Sequence, residues 1–165
     1  MSFGDGIDTA LLAHLRTYDT PTICNALEIA TGFRRATDFT RRTMIVPFPS
    51  LPPIVAFART ATLRSAAPSS MSKDVARELR LHYYAHVAAD SCPTVVVIQD
   101  LDDEPGLGAF WGEVNSHVHR ALGCAGVVTH GAVRDLGALA TDFLIVAGHC
   151  TPAILQAMAD GGDIH

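Results

Sequence analysis

Two short, β-branched apolar runs constrain this chain most. Thr94-Val-Val-Val-Ile-Gln99, closed by Asp100, and Gly126–Thr129 have the length of strands and are almost wholly apolar. That is the pattern of strands buried on both faces. Between them lie a turn-rich stretch (Asp102-Asp-Glu-Pro-Gly-Leu-Gly108), a glycine-centred motif (Trp111-Gly-Glu-Val-Asn115) and a helical segment to about Leu122, with Gly123 as its C-cap. Strand, glycine loop, helix, strand is a βαβ crossover, which brings two loops to one sheet edge. Gly131 is expected to free the backbone to turn at the end of the second strand. Arg134-Asp135 would then project from the carboxyl edge, where open α/β sheets bind ligands.

The residue types at that edge suggest a chemistry. Arginine holds a carboxylate through two parallel hydrogen bonds, and aspartate suits a hard divalent cation. Amides opening the helix near Gly112 can bind an anionic group. An Arg-Asp dipeptide taken alone reads first as a loop ion pair, so the functional reading rests on both loops sharing one ligand.

At 165 residues, with 48% apolar and 18% charged side chains, the chain suits one globular domain with a substantial core. A net charge of −5 argues against broad nucleic-acid binding, which needs a basic footprint. The opening residues lack the basic flank and apolar core of a signal peptide, and no apolar run is long enough to cross a bilayer. A cytoplasmic protein is therefore expected, with neither nucleic acid nor membrane as partner. Cys24, Cys92, Cys124 and Cys150 are scattered without metal-ligand spacing and read as buried thiols.

Further elements are expected along the chain. Helices are expected over Asp8–Thr17, from a Thr20 cap with Pro21 to Gly32, and from a Ser72 cap to about Ala89. Pro47–Pro53 reads as an extended connector and Ile54–Leu63 as one long strand. Beyond Asp135 a short helix (Leu136–Ala140), a strand (Phe143–Ala147) and a helical stretch (Pro152–Met158) are expected, with a terminal turn from Asp160. Four arginines between Arg34 and Arg42 form either a solvated loop or an anion-attracting rim. His82 and His86 lie one helical turn apart, but Tyr83 stands where a His-Glu-x-x-His site has its glutamate. Hydrogen-bonded surface histidines are the favoured reading there. His117 and His119 point apart on a helix and cannot chelate together.

The two loops together resemble a known family. Gly112-Glu113-Val114-Asn115 looks like a Gly-Asp/Glu-x-Leu substrate loop, and Gly131-Ala-Val-Arg134-Asp135 looks like a Gly-x-x-Arg-Asp signature. The interval between them also fits, and Tyr18-Asp19-Thr20 with Ile23-Cys24 resembles the family's opening helix. This is the RraA-like family, which includes the regulator of ribonuclease E activity A and the class II 4-hydroxy-4-methyl-2-oxoglutarate (4-carboxy-4-hydroxy-2-oxoadipate) aldolases. The resemblance covers about residues 15 to 150. It implies an α/β fold: a layered β/β/α sandwich of swivelling-domain type, with a mixed sheet flanked by helices.

The chain then reads as a single RraA-like domain over 1–165 that lacks the family's usual C-terminal strands. His130 is a second departure, since many members carry aspartate there. Its imidazole would either soften the site's negative charge or act as a supporting hydrogen-bonding group.

The resemblance implies a divalent-metal-dependent lyase. It would cleave 4-hydroxy-2-oxo diacids to pyruvate and perform oxaloacetate decarboxylation through the same enolate. Asp135 would anchor the metal, Mg2+ or else Mn2+, and Arg134 would hold the pyruvyl carboxylate or oxyanion. Amides of Gly112, Glu113, Val114 and Asn115 would orient the 2-oxo acid, with Glu113 near a metal-bound water. Lys73 is the sole lysine and opens a helix away from these motifs, which disfavours an imine-type aldolase. A homotrimer or hexamer is implied, with an acidic residue from a neighbouring subunit completing the site. Two other readings stand beside this one: a non-catalytic, protein-binding regulator like the ribonuclease E inhibitor, and a member whose incomplete site has only a structural or acid-binding role.

Overall fold

A computed structural model of the protein describes residues 8–33, 40–88, 93–151 and 163–164. Its first two helices follow their caps. Asp8 accepts the Leu11 N–H at 2.7 Å and opens α1 (Thr9–Leu15). Asp19, not the expected Thr20, caps α2 (Thr20–Thr31) by accepting the Thr22 N–H at 2.8 Å. The carboxylate stands in extended backbone just before the helix, so Thr20 already falls inside it. Gly32 ends α2 in the left-handed region at φ 74°.

The sheet starts at β1 (Phe57–Arg64), three residues later than the apolar alternation suggested. Ser72 caps α3 (Lys73–Val87), which leads to β2 (Thr94–Asp100). Then come α4 (Glu113–Ala121), β3 (Cys124–Val133), a single 3-10 turn over Leu136–Ala138 and β4 (Leu144–Cys150). The strand order is β4-β3-β2-β1-β5, with β1 to β4 mutually parallel. Two of the three parallel connections, through α3 and α4, are the βαβ units expected of such a sheet, and the third, from β3 to β4, passes through the 3-10 turn. Two-residue β5 (Asp163–Ile164) pairs antiparallel with Leu63 and Arg64, so the sheet is mixed. The expected terminal turn is therefore corrected at these two residues, because their pairing is to a strand about a hundred positions earlier. The helix expected over 152–158, the arginines at 34 and 35, and Cys92 lie outside the described residues.

The core lies between one sheet face and the helices α3 and α4. Val96, Ile98, Val127 and Ile145 supply the sheet side, and Tyr83, Val87 and Trp111 pack onto them. Cys124 joins this core as expected, whereas Cys24 and Cys150 are exposed thiols. The opposite face carries Thr60, Thr62, Val97, Gln99 and Val128 and is bordered by a cavity of about 770 Å³. Ile45 forms a two-way antiparallel backbone bridge with Ala147 of the edge strand β4.

Candidate functional site

The structure brings the two sequence motifs into direct contact at the carboxyl edge of the sheet. Trp111 bridges to Val133 as an isolated parallel pair, and the Arg134 N–H donates to the Trp111 carbonyl at 2.8 Å. This pairing lays the next residue, Gly112, against the Arg-Asp pair. A Cβ on Gly112 would stand 2.7 Å from Asp135 Oδ2 and 2.9 Å from Arg134 Cγ. A side chain at this position would have to displace the Arg134 and Asp135 side chains from where they stand.

Arg134 is buried, with its Nε 3.7 Å from Asp135 Oδ2. Asp135 holds a left-handed conformation at φ 55°. Among non-glycine residues, aspartate and asparagine tolerate that region best. The turn is thus made at Asp135 and not at Gly131, which correction follows from the length of β3. Gly131 lies inside the strand at a shift of register between Thr129 and Ala132. It is small because a Cβ there would meet the buried Asp100 carboxylate at 3.0 Å.

A second set of bonds ties α4 to the turn after Asp135. The buried Ser116 hydroxyl donates to the Glu113 carbonyl at 2.8 Å and accepts the Ala140 N–H at 3.0 Å. His117 Nε2 donates to the Ala138 carbonyl at 3.3 Å. Gly112 is the N-cap of α4 and offers no side-chain cap, so the first-turn amides of Glu113, Val114 and Asn115 receive no bond from it. The Glu113 and Val114 side chains are exposed. The Asn115 side chain is engaged within the protein: Nδ2 donates to the Phe110 carbonyl at 2.7 Å and Oδ1 accepts from the Tyr84 hydroxyl at 3.2 Å.

His130, the residue before Gly131, is exposed and lines the 770 Å³ cavity on the sheet face away from α3 and α4, together with Arg41, Arg42 and Gln99. His82 and His86 are exposed on α3. Lys73 is also exposed, without the enclosing pocket an imine-forming lysine needs.

Sequence reasoning missed two features. Asp100 and Asp102 fold the loop after β2: Asp100 accepts the N–H groups of Asp102 and Gly106, and Asp102 accepts those of Ser65 and Ala66. Turn-forming aspartates in a Gly-Pro-rich stretch were the available signal. The second is His119, fully buried among Tyr83, Phe110, Trp111 and Phe143. Its Nδ1 lies 2.6 Å from the Asn115 carbonyl, which only accepts, so Nδ1 carries the proton. Nε2 then accepts from the Tyr83 hydroxyl at 2.7 Å. Burial pushes His119 down to about 4 and pushes the Tyr83 hydroxyl up.

Among the described residues, no three His, Cys, Asp or Glu side chains are grouped to enclose a metal ion. Asp135 is the carboxylate at this edge that could hold a hard cation, in the manner of ions that keep waters and take further oxygens from a substrate. The Asp135 side chain retains 21% of its exposure, which leaves its carboxylate reachable.

The family model described as RraA-like (Aldolase/RraA) matches residues 20–164. No curated protein matches the chain. Three solved structures are similar throughout the fold. One, described among novel cellulases from microbes of the gut ecosystem, superposes with a TM-score of 0.66 at 15% identity, covering 100% of this chain and 68% of that one. Another is Streptomyces coelicolor RraAS2, described as an unusual member of the RNase ES inhibitor RraA family, with a TM-score of 0.55 at 23% identity over 87% of this chain and 65% of that one. A third, from Pseudomonas syringae pv. tomato, gives 0.53 at 15% identity over 96% and 66%. The chain thus spans about two thirds of the length of each.

Proposed function

The chain belongs to the RraA-like family, and on that premise we propose that it is a divalent-metal-dependent lyase acting on small 2-oxo acids. The reaction is retro-aldol cleavage of 4-hydroxy-2-oxo diacids, such as 4-hydroxy-4-methyl-2-oxoglutarate or 4-carboxy-4-hydroxy-2-oxoadipate, to pyruvate. Decarboxylation of oxaloacetate develops the same charge and is included. The observation that carries this reading is the packing of Gly112 directly against Arg134 and Asp135. It places a helix N-terminus, a buried guanidinium and a carboxylate around one point.

Each of these groups has a role suited to the reaction. The α4 amides of Glu113 to Asn115 bind and orient an anionic substrate end. Arg134 holds the carboxylate or the pyruvyl oxygen on which negative charge grows, and its burial strengthens that interaction. Asp135 would hold the cation, with the exposed Glu113 carboxylate one residue from Gly112 available to a bound water. Bound there, Mg2+ or Mn2+ would supply Lewis-acid stabilisation of the developing charge.

A coupled assay for pyruvate from 4-hydroxy-4-methyl-2-oxoglutarate and from oxaloacetate, with and without Mg2+, tests the proposal. Folded protein that releases no Mg2+-dependent pyruvate from either would sink it. A homotrimer or hexamer is part of the same reading. It is supported by α2, which buries none of its residues and leaves Leu27 and Ile29 exposed, at 50% and 83%. That surface also favours the second reading, a non-catalytic regulator that binds a protein partner. A pull-down with an endoribonuclease of the ribonuclease E type would succeed in that case, whatever stands at position 135. No helix among the described residues is long and apolar enough to cross a membrane, which is compatible with the cytoplasmic location proposed here.

A further inference from the structure

We propose that Tyr83, Tyr84, His119 and Asn115 form a positioning network that holds the Gly112 turn in register with Arg134-Asp135. The inference rests on the reading of that turn as half of a substrate site. Asn115 is thereby a positioning residue through its side chain, separate from any role of its backbone amide.

The bonds form a continuous path from α3 to both sides of Gly112. The adjacent tyrosines of α3 reach α4 by different routes. The buried Tyr83 hydroxyl donates to His119 Nε2 at 2.7 Å, and His119 Nδ1–H donates to the Asn115 carbonyl at 2.6 Å. The half-buried Tyr84 hydroxyl donates to Asn115 Oδ1 at 3.2 Å. Asn115 then reaches back across the turn and donates from Nδ2 to the Phe110 carbonyl at 2.7 Å. Phe110 lies two residues before Gly112 and Asn115 three after it, so one amide side chain clasps both ends of the turn.

The aromatic rings clamp the same segment from below. The His119 ring centroid lies 4.6 Å from that of Trp111, the residue whose carbonyl receives the Arg134 N–H. Phe110 meets Trp111 edge-on at 5.4 Å. A leucine at position 119 would fill this space without the desolvation that pushes the imidazole down. It could not accept the Tyr83 O–H or bond the Asn115 carbonyl. A polar group in a dry cage costs stability unless fully bonded, and here both ring nitrogens are bonded. Such a network defines one geometry where an apolar core tolerates several. The geometry it defines is that of the turn carrying Gly112, which has only 2.7 Å of clearance to Asp135 Oδ2 for a Cβ.

Amide hydrogen exchange on the full chain tests this, comparing wild type with Tyr84→Phe and Asn115→Asp. The first removes one O–H and keeps the ring. The second keeps an acceptor for Tyr84 and loses the donor to Phe110. Trp111, the sole tryptophan, reports folding by its fluorescence in each variant. The network predicts exchange accelerated at least about tenfold at residues 110–116 with β2 and the rest of α3 unchanged. It also predicts a kcat for pyruvate release lowered about tenfold at near-constant KM. Unchanged exchange at 110–116, or acceleration spread evenly over the domain, overturns the proposal. Local acceleration in a protein whose wild type releases no pyruvate upholds the network and refutes only the lyase reading.

Discussion

Acidification offers a direct test of the buried His119, because the sign and size of its effect follow from its surroundings. The imidazole is fully buried and pushed down from 6.5 to about 4 by desolvation, opposed in part by its bond to the Asn115 carbonyl. Above pH 6.5 neither folded nor unfolded chain protonates this residue, and its linkage contribution is absent. As pH falls below 6.5 the unfolded chain takes up a proton that the folded chain refuses, so stability declines. The decline ends near pH 4, where the folded form also protonates. The gap between 6.5 and about 4 corresponds to roughly 3 kcal/mol at about 1.36 kcal/mol per pH unit, of which about 2 kcal/mol is lost between pH 7 and pH 4.5. Urea unfolding at both pH values, in wild type and His119→Gln, isolates this share, since the other titrating groups are common to both chains. The variant is expected to be less stable at pH 7 yet to lose about 2 kcal/mol less on acidification. Equal losses in the two proteins would refute the argument that His119 is held neutral by the fold.

Other substitutions probe the site itself. Gly112→Ala places a Cβ 2.7 Å from Asp135 Oδ2 and 2.9 Å from Arg134 Cγ. Turnover in the pyruvate assay should fall at least about tenfold, because displacements of under an ångström at reacting groups are costly. Asp135→Asn keeps a residue suited to φ 55° and should abolish Mg2+-dependent turnover with little change in thermal midpoint. Asp135→Ala should cost about 1 kcal/mol more in chemical denaturation than Asp135→Asn, from backbone strain alone. Ser116→Ala strands the Ala140 N–H that Oγ now accepts at 3.0 Å. A loss of about 1–3 kcal/mol in urea unfolding is expected, and no loss would mean that bond is replaced from elsewhere.

Local chemistry made much of this protein legible from its chain. The β-branched runs at Thr94–Gln99 and Gly126–Thr129 pair in parallel, with α4 as their crossover, but the expected burial on both faces is corrected: β2 alternates buried and more open residues, and Val97 is exposed on the face away from α3 and α4. Ser72 opens α3 as its hydroxyl's affinity for a free helix amide dictates. The carboxyl-edge placement of Gly112 and Arg134-Asp135 follows from the same topology.

What the chain did not disclose depends on groups distant in sequence. The Gly131 turn was misplaced because the strand's end depends on partners in β4, and the φ of Asp135 on its surroundings. Cys24 and Cys124 both read as buried thiols, but only Cys124 has a sheet and helices packed over it. His119 looks like any surface histidine of a polar helix until Tyr83, 36 positions away, supplies a donor and the aromatic rings exclude water. Periodicity, caps and turn residues act over a few neighbouring positions and are written locally. Desolvation, register and the clasp around Gly112 arise only when remote segments meet, so tertiary structure alone decided them.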